Sequence, residues 1–460
     1  MNKKTEEYLQ MDLDHIVQTG IPIGNNLGIV FESADGIRVR DTEGKEYIEG
    51  SSTVSCLTLG YGYKNEVADA VAEQMRKYPY SLVFFGYNNV TTLEYAKKLA
   101  EFTPGDLNHF CFATGGSEAI KTMYMFARMY WHNKGKNKYK IISTVDGYHG
   151  TCYATLSSTG MGKDGYIAMK GAAPTLLGGF IHIPSYYCYR CMLGLKYPEC
   201  GVRCAKILDD YIEKEGPETV AAFIVEPVMN VAGEVAPPPE YMPMIREICN
   251  KYDVLFLTDE VMTAFGRTGE NFAVDHWGVV PDMMVAAKGV SAAYLPFAAL
   301  AVNDKVFEGL RDAYYVSFTH SGHPVCCAAA MKVLEITIRD KIVENVQKVG
   351  KYCMDRLEAE FLPLPHVGEV RGLGLALGVE IVEDKEKHLG FDLSRNIIGK
   401  ITVEARRQGL LLSCVHTGFG AANAIKVCPP LVCTKQDIDD ILGILYPIVA
   451  NINKPGSPVS

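Results

Sequence analysis

The central part of the chain alternates short apolar runs with segments whose apolar residues recur at helical spacing. Helical spacing occurs in KNEVADAVAEQMRKY, TTLEYAKKLAEF, SEAIKTMYMFARMYW and EYMPMIREICNKY. Short apolar runs are HFCFAT, YKIISTV, VAAFIVEP, DVLFLTDEV and DMMVAAKG. Because these runs lack a clean polar–apolar alternation, they indicate parallel strands buried on both faces. The order of strands and helices predicts an open α/β sheet.

The two ends of the chain have a different pattern. Near the N-terminus, GIRVRDTEGKEYIEG predicts two short strands joined by a turn at residues 41–44. After the long helical segment HSGHPVCCAAAMKVLEITIRD, strands are predicted at GEVRGLGLALGVEIV and AIKVCPPLVCT, and helices at IIGKITVEARRQG and KQDIDDILGILYPIVANI. We therefore expect a large α/β domain at residues 56–325 and a smaller α+β domain at residues 326–460.

Composition narrows the class of protein. The 460 residues are 48% hydrophobic with a net charge of −9, and no basic run of the kind that binds nucleic acid occurs. The first residues, MNKKTEEYLQMDLDHI, lack the apolar core of a signal peptide, and no apolar run reaches the roughly 18 residues of a membrane span. We therefore expect a cytoplasmic protein without nucleic-acid or membrane partners, whose 14 cysteines are reduced.

Four features fall after predicted strands, where ligands bind in open α/β sheets. The first is FATGGSEAIK, in which Gly115, Gly116 and Ser117 open a helix and could cradle a phosphate. The second is DGYHG, in which Tyr148 offers an aromatic face beside His149. Taken alone, the first could be an ordinary strand-to-helix turn and the second a packing contact.

The other two features are charged residues at the ends of apolar runs. Asp259 in FLTDEV would be costly to bury without a partner, such as a protonated ring nitrogen, although a helix cap or a salt bridge would also explain it. Lys288 in VAAKG would have its pKa lowered by burial and could form a Schiff base, although it could also lie on the surface. Together the four features are the parts that pyridoxal phosphate requires.

These motifs resemble those of the class III, ω-amino acid type, pyridoxal-phosphate-dependent aminotransferases. The segments ATGGSEAIK, GYHG, EPV, LTDEVMTAFGRTG, AAKG, FTHSGHP and VRGLGLALGVE have the order and approximate spacing of that family, from about Gly36 to Thr434. The resemblance implies fold type I, with a mainly parallel seven-stranded sheet and with residues 1–55 joining the small domain. It also implies a homodimer or a dimer of dimers whose active sites lie at the subunit interface.

The resemblance also implies a role for single residues. Lys288 would hold the cofactor and move the proton, Asp259 would keep the pyridine nitrogen protonated, and Glu226 would lie near the cofactor's hydroxyl group. Cofactor contacts are expected from Gly115, Gly116, Ser117, Tyr148, His149, Val261 and, from the partner subunit, Thr319. Arg267, in the family motif FGRTG, receives no role.

The chain departs from the family pattern around the substrate. Many ω-transaminases bind the acceptor carboxylate with an arginine shortly before the PP strand, but LLLSCVHTGFGAANAIKVCPPL contains none, and His416 is its only side chain before Lys426 that can carry a positive charge. Ser55 occupies a position where relatives often carry a large aromatic residue, which predicts a roomier pocket. Apolar walls are expected from Phe84, Phe85 and Tyr87.

The segment CYRCMLGLKYPECGVRC contains four cysteines, Cys188, Cys191, Cys200 and Cys204. Four thiols at this spacing could bind zinc, but the stretch between the pairs is shorter than in common zinc modules. We therefore interpret the segment as a reduced, packed loop and predict no metal.

The function expected from these observations is amino-group transfer by a ping-pong mechanism through a Schiff base on Lys288. The donor would be a β- or ω-amine, namely a β- or ω-amino acid, a taurine-like amine or a β-aminoacyl-CoA thioester. The acceptor would be an oxo acid such as 2-oxoglutarate or pyruvate. The alternative is other chemistry on the same cofactor, as in the aminomutases, racemases and phospho-lyases of the family.

Overall fold

The computed structural model describes residues 1–81, 83, 85–160, 176–315, 318–417 and 422–459. The strands are β1 (Phe31–Asp35), β2 (Arg38–Asp41), β3 (Glu46–Glu49), β4 (His109–Ala113), β5 (Lys140–Thr144), β6 (Phe180–Ile183), β7 (Val220–Val225), β8 (Leu255–Glu260), β9 (Met283–Ala286), β10 (Ala298–Val302), β11 (Val367–Leu373), β12 (Ala376–Ile381), β13 (Leu410–Leu411), β14 (Ser413–Thr417) and β15 (Ala422–Val427).

The helices are α1 (Lys3–His15), α2 (Ser52–Ser55), α3 (Lys64–Lys77), α4 (Val90–Ala100), α5 (Gly116–Asn133), α6 (Tyr153–Ser158), α7 (Arg203–Glu215), α8 (Tyr241–Lys251), α9 (Asp304–Gly309), α10 (Pro324–Arg339), α11 (Ile342–Arg356), α12 (Ile397–Arg407) and α13 (Lys435–Ala450). Short 3₁₀ turns lie at Cys188–Arg190, Ala273–Trp277, Lys288–Ser291 and Leu393–Arg395, and a π turn lies at Leu357–Phe361. Within the described ranges, no helix is both long enough and apolar enough to cross a membrane.

The central sheet has seven strands in the order β4-β10-β9-β8-β7-β5-β6. Strands β5 to β9 are joined by parallel pairs, as the sequence predicts, while β10 runs antiparallel to both neighbours, β4 and β9. Both faces of the sheet are buried: Phe223 and Phe256 pack into one apolar cluster, and the next residues, Ile224 and Leu257, pack into the cluster on the other face. The prediction of doubly covered parallel strands is therefore confirmed, with β10 as an unpredicted antiparallel member.

Two four-stranded sheets lie outside the central one. The first has the order β1-β2-β3-β13, and its β2–β3 hairpin is the one predicted around the turn at residues 41–44. Its last strand comes from far along the chain, since Ile48 pairs in parallel with Leu410. The second, the C-terminal sheet, has the order β11-β12-β15-β14 and is antiparallel throughout. The division of the chain at residues 55 and 325 stays a prediction.

The short segment α2 has a strained backbone. All four of its residues, Ser52–Ser55, have φ between 47° and 63°, in the left-handed region, which costs roughly 1–2 kcal/mol for each non-glycine residue. Hydrogen bonds hold it there, because the Ser52 hydroxyl donates to the Cys428 carbonyl at 2.7 Å and the Thr53 N–H donates to Glu49 at 3.1 Å. A guanidinium nitrogen of Arg267 also donates to the Ser52 hydroxyl at 3.3 Å. The strained turn is therefore held by Glu49 in β3 and by Cys428 directly after β15.

Candidate active site

A pocket opens at the edge of the central sheet where β5, β7, β8 and β9 end. Because these strands are parallel, the residues that follow them meet at one edge although they lie far apart in the sequence. The pocket has an empty volume of about 480 Å³. Its lining consists of Gly116, Ser117, Ile120, Tyr148, His149, Gly150, Glu226, Asp259, Val261, Met262 and Lys288.

Asp259, near the end of β8, is 4% exposed and is held by two partners. One carboxylate oxygen lies 2.8 Å from Nδ1 of His149, and the other accepts the N–H of Val261 at 3.0 Å. The His149 side chain is itself buried, and its backbone N–H donates to the Thr159 hydroxyl at 3.0 Å. A buried carboxylate needs such partners, and here they fix its direction toward the pocket.

Glu226 follows β7 directly and is buried next to Asp259. Its two carboxylate oxygens accept backbone N–H groups, from Tyr148 at 2.8 Å and from Asn230 at 3.2 Å. Burial and the negative charge of Asp259 raise the pKa of Glu226 well above its usual range. The two carboxyl groups therefore differ in their surroundings: Asp259 faces a histidine ring, whereas the hydrogen bonds described for Glu226 come from backbone N–H groups.

Lys288 follows β9 and begins a 3₁₀ turn, with φ of 46°. The side chain is half-buried, and its Nζ contacts the sulfur of Met262. Burial lowers the pKa of Lys288, and the positive charge of Lys426 lowers it further. This amine therefore loses its proton more readily than an exposed lysine and is a better nucleophile.

The start of α5 forms a cradle of backbone that leaves room for a phosphate. Gly115 precedes the helix and provides no side-chain cap, so the first N–H groups of α5 are open to an anion. A Cβ on Gly116 would come within 2.9 Å of Val261. Gly150 has φ of 122°, and a Cβ there would lie 2.2 Å from the Ser117 hydroxyl. This close packing fits the phosphate end of pyridoxal phosphate.

Most of the predicted cofactor residues thus meet in one pocket, but the expected substrate residues do not. Ser55 is buried outside the lining, and its hydroxyl has no hydrogen-bond partner among the described residues. Phe85 and Tyr87 are each 67% exposed. Thr319, the remaining predicted phosphate contact, is also exposed, and its carbonyl accepts from the Tyr80 hydroxyl at 3.0 Å. Phe84 and the His416 side chain lie outside the described residues.

Several lining residues were not predicted. Ile120 lies one turn after Ser117 in α5, Gly150 ends the GYHG motif, and Met262 follows Val261, so helix periodicity and motif neighbours could have indicated them. Arg267, which received no role, is fully buried away from this pocket. Its guanidinium donates to the carbonyls of Leu375 at 3.1 Å and Pro429 at 2.6 Å.

The four clustered cysteines border a separate small cavity. Cys188, Cys191, Cys200 and Cys204 all line it, and all 14 cysteines of the chain are free thiols. Burial raises the pKa of Cys188 to about 11 and that of Cys204 to about 12, which keeps both thiols protonated. Among the described residues, no three His, Cys, Asp or Glu side chains are placed to hold a metal ion. The absence of a metal stays a prediction.

Known proteins resemble the chain over nearly its whole length. A family model described as "Aminotransferase class-III" matches residues 22–449. A putrescine–pyruvate aminotransferase of Pseudomonas aeruginosa is 34% identical, and the match covers 96% of this chain and 95% of the relative. A diaminobutyrate–2-oxoglutarate transaminase of Halomonas elongata is 32% identical, and the match covers 91% of this chain and 89% of the relative. An (S)-enantioselective ω-transaminase from Thermomicrobium roseum, known from a crystal structure, is 35% identical in sequence. The structural match covers 96% of this chain and 97% of that chain, with a TM-score of 0.87.

Proposed function

Since the chain belongs to the class III aminotransferases, which are pyridoxal-phosphate enzymes of fold type I, we propose that it moves the amino group of a β- or ω-amine to an oxo acid such as 2-oxoglutarate or pyruvate. One observation carries the choice of donor. The pocket that contains Lys288, Asp259 and Glu226 is lined by no arginine and by no second lysine among the described residues.

The charge balance of this pocket favours an amine whose nitrogen is distant from a free α-carboxylate. An α-carboxylate next to the reacting carbon would have no arginine in the described lining to pair with. A β- or ω-amine places its carboxylate, sulfonate or thioester farther from the reacting carbon, so it does not need such a partner at this position. The relatives named for putrescine and diaminobutyrate act on amines of this kind, which supports the proposal.

When bound, pyridoxal phosphate supplies an electron sink for negative charge that develops on the carbon next to the amine. The residues around it would divide the remaining work. Lys288 would hold the cofactor's aldehyde end and carry the proton on Nζ, helped by its lowered pKa. Asp259, oriented by His149, would hold the pyridine nitrogen in its protonated form. Gly115, Gly116 and Ser117 would bind the phosphate, with Val261 and Tyr148 on the two ring faces.

The proposal includes a second copy of the chain. Thr319 is exposed and lies outside the pocket of its own chain, and the aromatic side chains of Phe85 and Tyr87 are also largely exposed. In a homodimer with its active sites at the interface, Thr319 would contact the phosphate bound by the partner copy. Light scattering of the purified protein tests the assembly, and a monomeric enzyme with full activity would contradict it.

The experiment that tests the function is a half-reaction without any oxo acid. The protein is purified with pyridoxal phosphate, and its visible absorption band is followed while single amines are added: β-alanine, 4-aminobutyrate, putrescine, taurine, a β-aminobutyryl thioester or L-alanine. Loss of the band with a β- or ω-amine supports the proposal, whereas loss with L-alanine alone contradicts the choice of donor. The Lys288→Ala variant should lack the band.

The same preparation separates the alternative chemistries of the family. Without an oxo acid, each active site of a transaminase converts one molecule of amine and then stops. An aminomutase, a racemase or a phospho-lyase turns over repeatedly without an oxo acid. Catalytic turnover of any panel amine in the absence of an oxo acid would therefore contradict amino-group transfer.

A further inference from the structure

The loop that follows Glu226 lies against the C-terminal sheet. Met229 and Val235 pair as an antiparallel bridge and close the loop. At its tip Gly233 has φ of 93°, and a Cβ there would lie 2.6 Å from Cβ of Ala424 in β15. The carbonyl of Gly233 accepts from Nε of Arg371 in β11 at 2.8 Å. The loop thus joins a pocket residue to a different sheet.

A buried ion pair lies at this junction. Nζ of Lys426, in β15, is 3.1 Å from a carboxylate oxygen of Glu234, in the loop, and each side chain is 1% exposed. The side-chain amide of Asn230 bridges the pair, because its oxygen accepts from Lys426 and its nitrogen donates to Glu234. The backbone N–H of the same Asn230 donates to Glu226 at 3.2 Å. One residue therefore connects the ion pair to the active-site carboxylate.

We propose that the Lys426–Glu234 pair, acting through Asn230, positions the carboxylate of Glu226 in the active site. The inference rests on the proposed function and makes Lys426, Glu234 and Asn230 positioning residues. Without the bridging amide, the Asn230 N–H could move away from Glu226, leaving one carboxylate oxygen with no donor from the loop.

Two physical arguments favour positioning over simple stabilisation. A buried ion pair is often no more stable than apolar residues of the same size, so its presence at this place points to a role in orientation. The Asn230 side chain hydrogen-bonds both members of the pair, and a shift of about 1 Å in a catalytic group can slow a reaction roughly 100-fold.

The test uses the cofactor-loaded protein and compares two variants with the wild type. Asn230→Ala removes the bridge but keeps the N–H, and the double variant K426M/E234Q removes both charges together, so that no unpaired charge stays buried. Each protein is measured for the position of the visible cofactor band, the affinity for pyridoxal phosphate after removal and re-addition, the half-reaction rate constant with the best amine, and Tm.

Tyr47→Phe is the matched control. The Tyr47 hydroxyl, in β3, donates to Asp41 of β2 at 2.8 Å, so its loss removes another buried hydroxyl–carboxylate contact that involves neither the Glu226 loop nor the C-terminal sheet. We expect it to lower Tm and to leave the cofactor band and the rate constant unchanged.

Both test variants should lower the half-reaction rate constant about 10- to 100-fold and change the cofactor band. Asn230→Ala added to K426M/E234Q should give no further loss, because the three residues act in one path. A wild-type band and rate constant in both variants would overturn the inference, whatever happens to Tm. If no amine bleaches the wild-type band, the proposed function fails, while the band and the cofactor affinity of the variants still decide this inference.

Discussion

Replacement of Gly150 by alanine should weaken cofactor binding in addition to destabilising the fold. Gly150 lies in the phosphate cradle with φ of 122°, a conformation that costs a residue with a Cβ roughly 1–3 kcal/mol. The new Cβ would also lie 2.2 Å from the Ser117 hydroxyl and 2.8 Å from the Thr155 hydroxyl. Ordinary contacts begin near 3.4 Å, so Ser117 would have to move by more than 1 Å.

That displacement determines the size of the effect. Forcing an extra methyl group into a packed site costs about 1–3 kcal/mol, and here the group that yields is the one expected to contact the phosphate. If most of this cost falls on the loaded state, Kd for pyridoxal phosphate rises about 5- to 100-fold. The free protein can relax the same contact by moving Ser117 and should lose less.

The assay is a titration of the cofactor-free protein with pyridoxal phosphate, followed by the visible band, together with Tm of the free and loaded forms. Gly135→Ala is the control, since Gly135 also has a positive φ, 68°, but no atom of the described residues lies within 4 Å of its Cβ position. It should lower Tm slightly and leave Kd unchanged. An unchanged Kd in Gly150→Ala would refute the assignment of the phosphate cradle.

Three further predictions concern buried polar groups. His149→Ala should lower the free energy of unfolding by about 3 kcal/mol in urea titrations, because it removes the ring paired with buried Asp259; a loss below 1 kcal/mol would contradict this. Ser55→Ala should raise the free energy of unfolding by about 1 kcal/mol, since the buried hydroxyl has no partner within the part of the chain that is described. A higher KM for the amine would show instead that the hydroxyl binds substrate. Burial raises the pKa of Glu260 from 4.5 to about 7, so the fold favours the neutral form. The free energy of unfolding should therefore fall by up to about 3 kcal/mol as the pH rises from 4.5 through 7. In urea titrations from pH 5 to 8, Glu260→Gln should show a smaller fall than the wild type.

The central sheet was predictable because its strands carry strong local signals. The runs at β7, β8 and β9 are apolar without alternation, and burial on both faces is the physical reason for that pattern. β6 and β10 were missed. FIHI has only four residues, and AALAV consists mostly of small side chains, so neither differs clearly from a loop or a helix end. The antiparallel direction of β10 depends on its neighbours and has no local signature.

The grouping of the candidate site residues in one pocket was predictable for a related reason. Lys288 and Asp259 are charged residues at the ends of apolar runs, where burial demands an explanation. The same signal was present at Lys426, a charged residue between Ile425 and Val427 in a buried strand. Its partner Asn230 is 196 residues away, and no local pattern identifies that contact. The substrate residues could not be located either, since their positions depend on the packing of loops and of a second copy.

The parallel pairing of Ile48 with Leu410 has a consequence for synthesis of the chain. Ribosomes add about 5–20 residues per second, so roughly 20–70 seconds separate the emergence of these two residues. During that time one edge of β3 has no partner strand, and unpaired strand edges invite association with other chains. Release of the nascent chain before β13 would leave that edge open permanently, so incomplete products of translation should be the aggregation-prone species.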